Sequence, residues 1–236
     1  MLGGSLFLTG CFIDVNDDDG LFGCIDADGP VTTLDLDLPE FDGIKLAMDA
    51  RVEITQGPEQ SVIVEGKSDI FDELDLDIDN GIWTIRTEDC VRDVDDLTFF
   101  ITVPNIREVR ITGSGEVVST NTFVIGDIEL RITGSGDLDM ALEADDIEVD
   151  ISGSGKVVLE GTGDELEIDI TGSGDVRAFD LAVQEADVNI SGSGDAEVRV
   201  ANRLDVRISG SGDVFYKGQP EINDIITGSG DLIDAN

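Results

Sequence analysis

A five-residue motif, Ile-(Thr/Ser)-Gly-Ser-Gly, occurs seven times between residues 111 and 230 and limits what the chain can fold into. The motif returns every 18 to 21 residues. A period near twenty that tolerates such small changes is typical of stacked structural coils rather than of a catalytic motif. The isoleucines that open the seven copies are Ile111, Ile132, Ile151, Ile170, Ile190, Ile208 and Ile226. The sequence therefore predicts coils that all turn at the same corner.

The residues before each motif alternate between apolar and polar side chains. In one coil, Leu166, Ile168 and Ile170 are separated by single acidic residues. A period of two predicts a strand with one buried and one exposed face. A looser alternation follows the motif, and no window of helical length has apolar residues three and four apart. We therefore expect an all-β, right-handed parallel β-solenoid of two-strand coils, each about 19 residues long.

The first glycine of each motif is expected to shape the corner. A sharp turn between two sheets needs a positive φ, which a side chain would penalise. These structural turn glycines are Gly113, Gly134, Gly153, Gly172, Gly192, Gly210 and Gly228. Gly-Ser-Gly differs from the Gly-x-Ser-x-Gly nucleophile elbow, so we do not expect the serines to be nucleophiles.

Four segments before the repeats, together with the repeated corners, carry a resemblance to a known family. The segments are Phe41-Asp42-Gly43-Ile44, residues 52–57, residues 80–85 and residues 101–104. With them, residues 38–233 resemble the bacterial family called putative auto-transporter adhesin, head GIN domain. The resemblance implies a pectin-lyase-like β-helix without catalytic residues and a role in adhesion at the cell surface. The coil ending at Ile226 departs from the pattern, because Asp224 occupies a position that is apolar elsewhere.

The chain divides into four predicted parts. Residues 1–11 form a lipoprotein signal-like segment, since the apolar start ends in Leu-Thr-Gly-Cys and resembles a lipobox, which makes Cys11 the predicted lipidation site. Residues 12–36 are an acidic, flexible tether; residues 37–110 are a β-rich half that caps one end; residues 111–236 are the repeat solenoid. This organisation predicts an exported protein, lipid-anchored in the bacterial cell envelope at the outer membrane.

Lipidation of Cys11 would leave two further cysteines, Cys24 and Cys90. In an oxidising compartment these could form a disulfide bond or remain as two thiols. The sequence leaves both alternatives open.

The chain is strongly acidic, with 53 acidic and 14 basic residues and a net charge of -39. Nucleic acid is excluded as a partner, because no basic stripe could displace counterions from phosphate, and membrane contact is expected through the lipid anchor only. The acidity suits either a saline habitat or calcium binding. A column of charged residues follows the corners: Glu116, Asp137, Lys156, Asp175, Asp195, Asp213 and Asp231. The opposite edge shows no repeated ligand pattern, so we predict no metal site and no cofactor.

The sequence is compatible with several classes of function. Histidine is absent, which excludes histidine triads and histidine acid–base catalysis. The leading hypothesis is a non-enzymatic adhesion, binding or spacer module whose partner is a surface ligand, a glycan or an envelope protein. The alternatives are a calcium-dependent carbohydrate-binding solenoid and a polysaccharide-degrading β-helix enzyme. The far end of the solenoid is weakly capped, which leaves room for self-association.

Overall fold

The computed structural model describes residues 24–92 and 97–236. The regular structure of this part is β-strand throughout, apart from a single 3-10 turn at Phe71–Glu73. The first nine strands are β1 (Ile25–Asp26), β2 (Val31–Leu36), β3 (Gly43–Leu46), β4 (Arg51–Gln56), β5 (Ser61–Lys67), β6 (Ile78–Asp79), β7 (Ile82–Ile85), β8 (Val91–Arg92) and β9 (Thr98–Val103). The repeats form β10 (Glu108–Gly113), β11 (Glu116–Ser119), β12 (Phe123–Val124), β13 (Ile128–Gly134), β14 (Asp137–Gly153), β15 (Lys156–Gly172), β16 (Asp175–Gly192), β17 (Ala196–Gly210), β18 (Val214–Lys217), β19 (Glu221–Gly228) and β20 (Leu232–Asp234). In the described ranges, no helix is long and apolar enough to cross a membrane.

The repeats stack as a parallel β-solenoid of about seven turns, which confirms the predicted fold class. We call the strands that precede the Gly-Ser-Gly corner the leading sheet and the strands that follow it the trailing sheet. In the leading sheet each coil pairs with the next in register, so that Ile132 lies beside Ile151 and Ile151 beside Ile170. Equivalent side chains therefore lie above one another along the solenoid axis. In the trailing sheet the register shifts once between β15 and β16 and twice between β16 and β17.

The core lies between the two sheets and runs the length of the solenoid. The inward side chains of the repeats are almost fully buried; Val149 and Ile168, for example, have no exposed surface. At the N-terminal end the core becomes aromatic, because the ring of Trp83 packs 5.7 Å from that of Phe99 and 5.8 Å from that of Phe41. Period-two alternation thus produces a continuous hydrophobic core with a polar surface on both sides.

The N-terminal half caps one end of the solenoid and also extends both sheets. In the leading sheet, β3 lies between β7 and β10 and is parallel to both. In the trailing sheet, β4 lies between β9 and β11 in the same way. Strands β7 and β9 follow β3 and β4 in the sequence, yet they lie farther out. The predicted boundary at residue 110 falls inside β10, so the two halves share one core.

Part of the predicted tether is folded, which corrects the expectation for residues 24–36. Strand β2 pairs antiparallel with β5, and β5 pairs antiparallel with β9. Asp69 accepts hydrogen bonds from the backbone N–H groups of Asp28, at 2.8 Å, and Gly29, at 3.0 Å, which fixes the loop before β2. Strand β2 lies at the sheet edge and is mostly exposed. Because neither of its faces is buried, its sequence shows little alternation between apolar and polar residues. Residues 12–23 lie outside the described residues.

Candidate binding face

The Gly-Ser-Gly corners form a backbone ladder. All seven predicted turn glycines have positive φ, between 116° and 143°. The N–H of Ser135 donates to the carbonyl oxygen of Gly113 at 2.8 Å, and the later coils repeat this bond at the same length. The second glycine of each motif is also needed, since a Cβ atom on Gly136 would lie 2.7 Å from the carbonyl oxygen of Gly115. Sequence reasoning missed this second role, and the only signal for it was the recurrence of that glycine.

The charged column after the corners uses its carboxylates to bond the backbone. The Oδ1 atom of Asp195 accepts the N–H of Asp213, and Oδ1 of Asp213 accepts the N–H of Asp231, both at 2.8 Å. Asp175 accepts the N–H of Asp195 at 3.3 Å. Within the described ranges, no group of three or more acidic or cysteine side chains is placed to hold a metal ion.

The outer surface of the leading sheet carries three columns of side chains, and we call this surface the leading face. The acidic column consists of Glu108, Glu129, Glu148, Glu167, Asp187, Asp205 and, at its end, Asn223. The mixed column consists of Arg110, Arg131, Asp150, Asp169, Asn189, Arg207 and Ile225. The hydroxyl column consists of Thr112, Thr133, Ser152, Thr171, Ser191, Ser209 and Thr227. The in-register stacking of the coils produces all three columns.

Arginines neutralise both ends of the leading face. Toward the N-terminal end, Arg131 reaches Asp150 in the next coil at 2.6 Å and Glu129 in its own coil at 2.7 Å. Toward the other end, Arg207 lies 3.2 Å from Asp187. These side chains are partly exposed, so the pairs orient groups on the surface more than they stabilise the fold.

The centre of the leading face holds carboxylates whose pKa values are raised. Partial burial raises the pKa of Glu148, and the negative charges of Asp150 and Glu129 raise it further. Partial burial also raises the pKa of Glu167 and Asp169, with other carboxylates of the face adding to the effect. None of Glu148, Glu167 and Asp169 forms a salt bridge with a residue in the described part of the chain. Negative charge is therefore concentrated between the two arginine-bearing ends.

A shallow groove runs along the axis between the mixed and hydroxyl columns. One stretch, of about 200 Å³, is lined by Arg131, Asp150, Asp169, Thr133, Ser152, Thr171 and backbone. The next stretch, of about 300 Å³, shares Asp169 and Thr171 and continues past Asn189, Arg207 and Ser209. Charged and amide side chains line one wall as far as the exposed Ile225, and hydroxyl side chains line the other. The groove can therefore donate and accept hydrogen bonds in successive coils. The sequence repeats predicted these columns but not the groove.

A wider depression lies at the edge of the N-terminal half, away from the leading face. Its volume is about 710 Å³, and Leu38, Phe41, Pro58 and Pro104 provide its apolar lining. The Gln60 side chain at this depression already donates to the carbonyl oxygens of Leu38 and Pro39 and accepts from the N–H of Phe41. The hydrogen-bonding groups of the Gln60 side chain are therefore used within the fold.

The two later cysteines meet beside the first strand pair. Cys24 and Cys90 are joined by a disulfide bond, with 4.5 Å between their Cα atoms. The parallel pairing of Ile25 with Val91 follows directly. The bond attaches the N-terminal end of the described chain to the segment between β7 and β9. Cys11, the predicted lipidation site, lies outside the described residues.

Comparison with known proteins agrees with this geometry. The family described as "Putative auto-transporter adhesin, head GIN domain" matches residues 40–220. The chain belongs to this family. No curated protein matches the sequence.

Solved structures of similar proteins share the fold. The crystal structure of a "putative adhesin" from Bacteroides fragilis NCTC 9343 has a TM-score of 0.84 and 22% identity, covering 88% of this chain and 98% of that one. A "putative lipid binding protein" from Parabacteroides distasonis ATCC 8503 has a TM-score of 0.74 and 24% identity, covering 89% and 99%. A "putative adhesin" from Parabacteroides merdae ATCC 43184 has a TM-score of 0.73 and 20% identity, with the same coverage. At these identities the likeness establishes the fold alone.

Proposed function

We propose that this GIN domain protein is a non-enzymatic module of the bacterial cell envelope that binds a surface ligand, a glycan or an envelope protein, through its leading face. The observation that carries the proposal is the open groove, in which one hydroxyl side chain repeats in every coil beside a charged or amide side chain that varies. Such a groove favours an extended ligand, because each added unit of the ligand meets the same Thr or Ser hydroxyl in the next coil. The adhesin descriptions of the family and of two similar structures support the same class of function.

A binding screen with a matched pair of variants tests this proposal. The full chain carrying Cys11→Ser, which cannot be lipidated, is applied to a glycan and cell-surface array. Thr171→Val with Ser191→Ala removes two groove hydroxyls, whereas Thr162→Val removes an exposed hydroxyl at the opposite edge of one of the same coils. We expect the groove variant to lose binding several-fold and the Thr162 variant to retain it. Equal binding by both variants would move the site away from the leading face.

Anchorage at the outer membrane through a lipid on Cys11 is the second part of the proposal. The short apolar start and the Leu-Thr-Gly-Cys sequence support it. Mass spectrometry of the mature protein from its native host should find a diacylglycerol-modified Cys11 as the first residue. An unmodified Cys11 in that material would rule out the anchor.

Polysaccharide cleavage is a second candidate function, favoured by one observation. Glu148 and Glu167 lie beside each other in adjacent coils, both have raised pKa values, and they line a depression of about 600 Å³. Two carboxylates on neighbouring strands could act on a glycosidic bond as general acid and nucleophile, with water then releasing the sugar from the enzyme. Release of reducing ends from a polysaccharide panel, lost in Glu167→Gln, would establish the enzyme and displace the binding proposal.

Calcium-dependent binding makes a different prediction. A cation that binds the folded state must raise its melting temperature. Melting the chain in calcium and then in chelator therefore separates this alternative from the binding proposal, which expects no shift.

A further inference from the structure

The last coil of the solenoid breaks the inward pattern of all the coils beneath it. On the leading sheet, the inward column of Val149, Ile168, Val188 and Val206 ends at Asp224. Val206 is 1% exposed, whereas Asp224 is exposed to solvent. The neighbouring Ile225, which faces outward, is 58% exposed. In β19, therefore, an acidic residue occupies the inward face and an apolar residue the outward face.

The trailing sheet of the same coil shows the same substitution. Its inward column runs from Val198 through Tyr216 to Asp234. Val198 is fully buried, Tyr216 is half-buried and Asp234 is exposed. The carboxylate of Asp234 accepts hydrogen bonds from the N–H and the side chain of Asn236. Each sheet therefore ends with a carboxylate in a position that belongs to the core.

The surface around these two carboxylates is otherwise suited to stacking. Ile222, Ile226 and Leu232 pack against the core but stay partly exposed at the end of the solenoid. In the described part of the chain, β19 pairs only with β17 and β20 only with β18, so each has one unpaired edge. The opposite end differs, because the antiparallel strands β5 and β2 continue the trailing sheet beyond β9 there. An open parallel edge with an apolar surface would normally pair with another chain.

We infer that Asp224 and Asp234 form a charge gate that prevents a second copy of this chain from stacking on the C-terminal end. A stacked copy would remove both carboxylates from water, and burying charge in this way is strongly unfavourable. Two copies that met at this end around a two-fold axis would also bring four carboxylates together. Inward-pointing charges are a known way for natural sheets to block pairing at their edges.

Sedimentation velocity on the full chain tests the gate, with Cys11→Ser as the parent in every variant. Asp224→Val with Asp234→Val restores apolar residues in both columns. Glu221→Val with Asp231→Val removes the same charge from the same coil at exposed positions outside the inward columns. We expect the parent and the Glu221/Asp231 variant to sediment as single chains of 25.1 kDa across a hundredfold concentration range. The Asp224/Asp234 variant should double its apparent mass at the upper end of that range.

A second variant keeps the test decisive if the valine protein aggregates. Asp224→Asn with Asp234→Asn removes the charges and preserves the side-chain shapes, so we expect a soluble chain that dimerises at least tenfold more readily than the parent. A parent that is already dimeric through this end would overturn the inference. So would an asparagine variant that stays monomeric, or equal association in the Glu221/Asp231 variant.

Discussion

The corner glycines Gly113 and Gly134 differ chiefly in whether another coil's backbone lies against them. Comparing alanine substitutions at the two positions therefore measures how much the close stacking of the corners contributes to stability. Gly113 and Gly134 have similar φ values, 116° and 126°. A Cβ atom on Gly113 would have no atom within 4 Å, because the coil beneath it lacks the motif. A Cβ atom on Gly134 would lie 2.6 Å from the carbonyl oxygen of Gly113 and within 3.2 Å of two more backbone atoms. Alanine therefore meets the same backbone strain at both positions but a clash at Gly134 only.

Backbone strain and the steric clash set the expected loss of stability in the two variants. A side chain held at such a φ costs about 1–3 kcal/mol, and this cost applies to both variants. Pushing the coils apart at Gly134 adds about 1–3 kcal/mol and weakens the 2.8 Å bond from Ser135 to Gly113. A difference of about 2 kcal/mol corresponds to about 4–8 °C in melting temperature for a chain of this size. Urea unfolding and thermal circular dichroism of Gly113→Ala and Gly134→Ala measure it. Equal losses in the two variants would refute close stacking at the corners.

Three further predictions concern the core, the disulfide bond and the leading face. Ile151→Ala should lower the free energy of unfolding by about 3 kcal/mol in urea titrations, because the side chain is buried, whereas Ile225→Ala should change it by less than about 0.5 kcal/mol. Replacing Cys24 and Cys90 by serine opens a loop of 66 residues and should cost about 4 kcal/mol, and adding reductant to the parent should reproduce that loss. Partial burial and Asp169 raise the pKa of Glu167, so the folded state binds its proton more tightly and loses stability as the pH rises through the folded pKa. Glu167→Gln should therefore raise the melting temperature at pH 7, by the equivalent of about 0.5 kcal/mol for a solvent-screened group, and have no effect at pH 3.

The solenoid was predictable from the repeats, because each repeat reflects local requirements of strand burial and backbone geometry. The alternation in Leu166 to Ile170 follows directly from burying one face of a strand, and the glycine corners follow from backbone geometry. The salt bridge between Arg131 and Asp150 could also have been predicted from the sequence, since the two residues are 19 positions apart and therefore one coil apart. Side chains with the same position in the motif must share a column once the coils stack.

The arrangement of the N-terminal half was not predictable from the same pattern. The sequence of β3 does not indicate that this strand lies between β7 and β10. The neighbours of a parallel strand depend on which sheet edges are unpaired, and a single strand's sequence does not show this. Strand β2 falls within the predicted tether because an edge strand with both faces exposed has no buried alternation. The groove and the raised pKa values depend on how closely neighbouring coils approach, which the sequence does not give.

Distances between spin labels at the serines of the Gly-Ser-Gly corners test the stacked coils most directly. With Cys11→Ser as the background and the Cys24–Cys90 disulfide intact, labels are attached at cysteines replacing Ser229 and either Ser154 or Ser114. These positions are exposed and lie four and six coils apart. At about 4.8 Å per coil the separations should be about 19 Å and 29 Å. Pulsed electron paramagnetic resonance should therefore find the second distance longer by about 10 Å. Distances that do not increase with the number of coils would contradict the stacked solenoid.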